Sequence, residues 1–353
     1  MIIQSNIPEM LSYKRCSNCL KFILLTGFVL FFQVLKAQDF ADLDATLEQH
    51  KKIFGGKMAI VVWKDTILYA KAVGEDMTVN TQVPVGCASA WMAAALVMTF
   101  VDQGKISLDD PVAKYLPIYE KYAKGYLTIR HCLANTTGLQ GEKGGIEKIF
   151  QKTKFESLEE QVNSFASSRE IINNPGEVFS YNNIGTNIAA RVIEVVGKKS
   201  FDRLMMERIF RPLGMKKSTF TSEIAVNPFS GGLVSPADYV KFLAMLLNKG
   251  VGNGKKILSE ESIAELFKMQ TGSAKIIYVP GPVQGYQYGL GNWIAADGTG
   301  VHTSPGLTGG WPYIYVQKKY ACMIFGIPKE KKEKDDKSWG VYKEIVGALE
   351  SRF

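Results

Sequence analysis

The order of elements along the chain predicts an α+β fold. One antiparallel sheet is built from both ends of the sequence, terminal helices flank it, and a large all-helical region is inserted between. Three observations carry this. Two β-type runs surround a Lys64-Asp65 turn near the start. A predominantly helical stretch then runs through about residues 87–279. From about 280 onward strand patterns and Gly-rich turns return, and an amphipathic helix closes the chain. The sheet part is therefore about 38–86 and 280–353, the helical part about 87–279, within one domain over 38–353.

Phe40 to Ile53 has helical spacing of apolar residues, ended by Gly55-Gly56. Met58–Val62 and Ile67–Val73 read as a hairpin. Ala88–Val101 is apolar almost all round and free of Gly and Pro, the pattern of a helix buried on every side. Gly104 is placed to end it in a left-handed conformation. Thr128 is an N-cap candidate for a helix through Leu133. A helix after Asn182-Asn183 is expected to stop at Gly197, with Ser200 capping the next one as far as Arg211-Pro212-Leu213-Gly214. Ser235-Pro236-Ala237-Asp238 and Ser259 open two more helices. Tyr286–Ile294, Pro312–Gln317 and Tyr320–Ile327 read as strands, and Ser338–Leu349 as the last helix.

The 353 residues carry 42 basic and 34 acidic side chains, with 46% hydrophobic content, an ordinary globular composition. Residues 1–37 read as an export signal: Lys14, Arg15 and Lys21 precede an apolar run from Phe22 to Leu35, and Ala37-Gln38 is a cleavage point. The run is short for a membrane span, which needs roughly 20 apolar residues. Cys16 and Cys19 precede it, where a lipoprotein cysteine would follow. Cleavage leaves 38 basic and 33 acidic residues, a mild net +5. The expected location is periplasmic or secreted, with membrane contact only through an uncleaved signal. No arginine-rich run with interleaved aromatics points to nucleic acid. The three cysteines beyond residue 37 (Cys87, Cys132, Cys322) and the scattered His50, His131 and His302 form no disulfide framework and no metal-ligand spacing. No cofactor is expected.

Seven segments together resemble the serine β-lactamase-related family: class C β-lactamases, D-Ala-D-Ala carboxypeptidases, penicillin-binding-protein-like esterases and aminopeptidases. They are VDQGKISLDDPVAKYLP (101–117), LTIRHCLANTTGL (127–139), PGEVFSYNNIG (175–185), RPLGM (211–215), GGLVSPADYVKF (231–242), YGLG (288–291) and PGLTGGW (305–311). The resemblance covers about residues 40–350. It implies an antiparallel sheet beside a helical domain, with a cleft between them in which a serine forms an acyl intermediate. In the family a Ser-x-x-Lys motif opens the buried helix, so that both side chains share one face. A Tyr-x-Asn loop handles protons and contacts a substrate amide, and a Lys-Thr-Gly or His-x-Gly strand lies beside the oxyanion hole.

This chain departs from that pattern. Counting back from Gly104, the serine position falls on Cys87 and the lysine position on Ala90. The second motif survives as Tyr181-Asn182-Asn183. The third becomes Ser304-Pro305-Gly306, with His302 two residues before the Lys/His position and able to serve only through a bulge. The candidate catalytic residues are therefore Cys87 and Tyr181, and the candidate ligand contacts Asn183, Ser304 and Gly306. Two readings stay open. One is a degenerate protein whose cleft binds a peptidoglycan-derived or other acyl or peptide ligand. The other is an acyl hydrolase with Cys87 as nucleophile, whose thiol a helix N-terminus would activate.

Overall fold

A computed structural model describes residues 40–141, 155–220, 222, 224–306, 309–328 and 337–353. The signal-like segment, residues 1–37, and the charged run 329–336 lie outside the described residues.

The N-terminal hairpin is β1 (Met58–Lys64) and β2 (Thr66–Val73), with Asp65 at φ 62° in its turn. Short pairs follow within the helical part. β3 (Val83–Pro84) and β5 (Ser218–Thr219) flank β6 (Leu233–Val234). β4 (Val178–Ser180) runs parallel to β9 (Lys275–Tyr278), and β7 (Val251–Gly252) pairs with β8 (Lys255–Lys256). The C-terminal strands are β10 (Gln287–Tyr288), β11 (Trp293–Ile294), β12 (Val301–Thr303), β13 (Gly310–Tyr315) and β14 (Tyr320–Gly326). They join the hairpin in one sheet, ordered β10-β11-β12-β13-β14-β1-β2. The two ends of the chain meet where β1 pairs antiparallel with β14, from Met58↔Gly326 to Trp63↔Ala321.

β14 is buried along its whole length and β1 over its first five residues, so their apolar side chains run without alternation. That is what a central strand covered on both faces requires. The terminal helices Ala41–His50 and Lys337–Glu350 pack together, joined by a His50–Glu344 contact at 3.1 Å. The helical part supplies the other cover, through Tyr239, Phe242 and Leu243 of the helix Pro236–Leu247. Its core is the helix Ser89–Val101, buried from Ser89 to Phe100, with Gly104 at φ +63° after it. Trp91 lies edge-on to Phe242 at 6.2 Å.

The expected caps form at Thr128, Ser235 and Ser259, whose side chains accept the N–H of His131, Asp238 and Ser262. The helix Ile184–Gly197 stops at Gly197 as expected, and the left-handed residue after it is Lys198, φ 51°. A Cβ at Gly197 would stand 3.0 Å from Phe100 and Leu204 atoms, so glycine serves close helix packing there. Two expectations need correction, Ser200 as a side-chain cap and Tyr286–Ile294 as a single strand. Ser200 flanks the next helix without a side-chain bond. Glu194 Oε1 accepts the Phe201 N–H instead, at 2.7 Å. The run Tyr286–Ile294 is two strands, not one. Its turn is closed by Gly289 N–H donating to Asn292 O at 2.8 Å, with Gly291 at φ +76°. Finally, β12 is a strand that the pattern did not reveal.

Candidate functional site

Gly86, at φ +55°, turns the chain into a single 3₁₀ turn, Gly86–Ala88, ahead of the buried helix. This turn places Cys87 at the helix's N-terminal lip. The donors that would be free there are used within the fold. Cys87 N–H donates to Gly306 O at 3.0 Å, and Val85 N–H to Gly232 O at 3.0 Å. Ser89 Oγ accepts from Gly232 N–H at 3.0 Å, and Tyr239 Oη donates to Ala88 O at 2.7 Å. Gly306 approaches so closely that a Cβ would lie 2.2 Å from Val85 O.

The Cys87 side chain is fully buried, in a cluster with Ala90, Phe179, Tyr181, Phe229, Val283, Tyr288 and Trp293. Three of these rings surround Tyr181, whose centroid lies 5.0 Å from Trp293, 5.2 Å from Phe229 and 5.7 Å from Tyr288, and Phe179 packs behind them on Tyr288 and Trp293. Burial pushes the Cys87 thiol well above its ordinary pKa, opposed only in part by the Tyr181 hydroxyl and the backbone; no charged side chain is among its influences. Burial likewise drives the Tyr181 hydroxyl up, with Cys87 beside it. A thiol held neutral in this way is a weak nucleophile. Burial thus acts against the thiol activation expected at a helix lip.

The Tyr181-Asn182-Asn183 turn divides its work. Asn182 Oδ1 accepts Ile184 N–H at 2.8 Å and Nδ2 donates to Ser180 O at 2.8 Å, so this side chain builds the turn. Asn183 is buried and its Oδ1 has no hydrogen-bond partner. Tyr181 Oη, Tyr288 Oη and Asn135 Nδ2 make no hydrogen bond of normal geometry either, although Tyr181 acts on the Cys87 thiol and Asn135 on the Tyr288 hydroxyl. Asn135, at φ 56°, accepts Asn182 N–H with its Oδ1 at 3.2 Å.

Ser304 is buried, its Oγ 3.3 Å from Gly291 O and 3.5 Å from Cys87 O. The structure thus brings Cys87, Tyr181, Ser304 and Gly306 together, but Ser304 and Gly306 meet Cys87 through its backbone. His302 stays apart. It pairs in register with Ile294 and Ile314 without a bulge, stacks on Phe267 at 4.0 Å and shares a 2.9 Å Nδ1 contact with Asn292 Oδ1. Burial lowers its pKa to about 4, so it is neutral at pH 7. His131 completes a capping box with Thr128. The sequence reading missed Tyr288, Trp293, Phe229 and Asn135. Tyr288 opens the YGLG segment and could have been found there; Phe229 carries no motif signal. Among the described residues no group of three or more His, Cys, Asp or Glu could hold a metal ion, and no helix is long and apolar enough to cross a membrane.

The antiparallel sheet and the inserted helices match the serine β-lactamase/transpeptidase-like fold. The Beta-lactamase family profile matches residues 43–326, and the chain belongs to that family. It is 25% identical to penicillin-binding protein 4 of Amycolatopsis lactamdurans over 295 residues, 73% of this chain and 76% of that protein. It is 25% identical over 174 residues to the D-alanyl-D-alanine-carboxypeptidase/endopeptidase AmpH of Escherichia coli K12, 46% of this chain. The chain spans less than half of AmpH, 45%, and 39% of beta-lactamase-like protein 4 of Dictyostelium discoideum, to which it is 24% identical over 57% of its own length. Among solved structures, a provisionally assigned beta-lactamase from Bacteroides dorei DSM 17855 superposes with a TM-score of 0.77 at 27% identity, covering 88% of this chain and 98% of that one.

Proposed function

We propose that this protein is an exported, catalytically degenerate member of the Beta-lactamase family that binds a peptidoglycan-type or other acyl or peptide ligand without hydrolysing it. One observation carries the reading: at the nucleophile position the backbone N–H is taken by Gly306 O and the thiol is sealed among aromatic rings. Acyl transfer needs an activated nucleophile and free donors for the developing oxyanion. Here the lysine position is Ala90, also fully buried, and no charged group acts on the thiol. The ligand class rests on the names of the relatives, a penicillin-binding protein and a carboxypeptidase/endopeptidase. Binding at this site requires the aromatic wall to part, which would offer the buried Asn183 Oδ1 the partner it lacks. Export rests on the basic residues and apolar run within residues 1–37.

The second reading, an acyl hydrolase using Cys87, is favoured by the Tyr181 hydroxyl beside the thiol. A fluorescent penicillin and a thiol-selective electrophile, each applied to the native protein and followed by mass spectrometry, separate the two. The expected result is no acyl adduct, and alkylation of Cys87 only on unfolding. An acyl adduct on Cys87 that disappears in Cys87→Ala overturns the degenerate reading. A peptide ending in D-Ala-D-Ala should bind and remain uncut; its cleavage argues for the hydrolase. N-terminal sequencing of the exported protein should begin at Gln38.

A further inference from the structure

A second concave site lies away from Cys87, on the sheet face that carries the C-terminal helix. Its volume is about 500 Å³, within the range of small-ligand pockets. One wall is Trp311, Tyr313 and Tyr315, alternate residues of β13 and so side chains on one face. The helix Lys337–Glu350 supplies the facing wall with Lys343, Gly347 and Glu350, and Tyr286 and Asp297 close the ends.

The groups in these walls are of three kinds. The first is aromatic surface, from four rings. The second is a pair of carboxylates that both act on the Tyr286 hydroxyl. Asp297 is fixed by its Oδ1, which accepts the Thr299 N–H at 3.0 Å and the Thr299 hydroxyl at 2.6 Å. Glu350 accepts the Tyr313 hydroxyl. The third is the exposed Lys343, which makes no ion pair among the described residues. The carboxylates disfavour an anion. The ammonium, and the engagement of Glu350 with Tyr313, disfavour a cation. Charged groups in the wall disfavour a plain acyl chain, because each would lose solvation without a partner. What remains is a neutral ligand with one apolar face and many hydroxyls. Carboxylates accept from hydroxyls, ammonium donates to them, and aromatic rings cover the C–H face. We propose that this cavity binds a neutral saccharide, independently of any chemistry at Cys87.

The glycine at 347 gives a clean test. A Cβ there meets nothing within 4 Å, so a larger side chain can fill the cavity without displacing the fold. The intact chain is titrated with maltose, cellobiose and N,N′-diacetylchitobiose up to about 10 mM, beyond the weak end of specific binding, by tryptophan fluorescence and calorimetry. At least one disaccharide should bind, and Gly347→Leu and Asp297→Asn should each weaken it by about tenfold or more. Cys87→Ala should leave it unchanged. Thermal melting confirms that each variant is folded. Lack of binding by all three sugars, binding indifferent to both cavity variants, or preferential binding of choline over the sugars overturns the proposal.

Discussion

The helix Ser89–Val101 has two ends, and they have fared differently. At its C-terminal end the residues by which the chain resembles its family do structural work. Asp110 accepts Ser107 N–H at 2.8 Å, Lys114 Nζ at 2.9 Å and Tyr115 Oη at 2.6 Å. Arg130 bridges Asp109, at 2.7 Å, and Glu265. Asp102 accepts from Ser259 N–H, Ser259 Oγ and Ser262 Oγ at 2.6–2.7 Å, tying the helix end to the helix Glu260–Phe267. At the N-terminal end, Cys87 and Ala90 are packed as small apolar groups. On the reading proposed above, the family signature in this chain is a signature of scaffold. The residues that would convert the scaffold into a catalyst are separable from it.

The hardest way to break this contrast is to put the lysine back. Ala90 is fully buried, and Gly291 approaches so closely that a Cβ there would lie 2.6 Å from Ala90 O. Ala90→Lys must overpack this wall and bury an ammonium, so it should cost at least about 4 kcal/mol in urea unfolding. A well-folded, near-wild-type variant would show that room for the catalytic lysine persists.

His302 gives the next largest effect, through pH. Its folded pKa of about 4 is depressed below an unfolded value of about 6.5. The unfolded chain thus binds the proton first. The contribution is fully present above about pH 6.5 and is lost as pH falls toward 4, a swing of about 3 kcal/mol. His302→Gln should flatten unfolding profiles in that window. An unchanged slope would mean that His302 is not the buried neutral group described.

Asp102→Ala probes the other end of the helix. It leaves three donors from Ser259 and Ser262 without their acceptor on a partly exposed surface. The expected loss is about 2 kcal/mol, read as a lower melting temperature. A neutral outcome would weaken the claim that this end is held by its polar contacts.

What the sequence disclosed and what it hid follow the same division. The buried helix, its glycine stop, the caps at Thr128, Ser235 and Ser259 and the hairpin at Asp65 are local, and their signals are written within a few residues. β12 is three residues long, too short for a period to show. The enclosure of Cys87 is a tertiary fact: Phe179, Phe229 and the hairpin pair Tyr288 and Trp293 come from three separated segments. The substitution to Cys87 and Ala90 could be read directly. That burial would push the thiol pKa up could not, because burial is a property of those distant rings.

The smallest expected effect is the most discriminating. Cys87→Ser restores the family's nucleophile type and alters one atom. The new hydroxyl enters an apolar wall, but the Tyr181 hydroxyl that acts on the thiol lies beside it, so desolvation is offset and stability should move by no more than about 1 kcal/mol. Members of a catalytic unit depend on one another: losing one from an intact unit costs factors of roughly a thousand or more, and restoring one to a dismantled unit recovers little. Here the lysine is absent and Gly306 O still holds the residue 87 N–H. Cys87→Ser should therefore show no acylation by a fluorescent penicillin. Acylation by the serine variant would mean that the wall opens and the donors come free in solution. The two ends of the helix would then differ by a single side chain, and not by the whole arrangement around it.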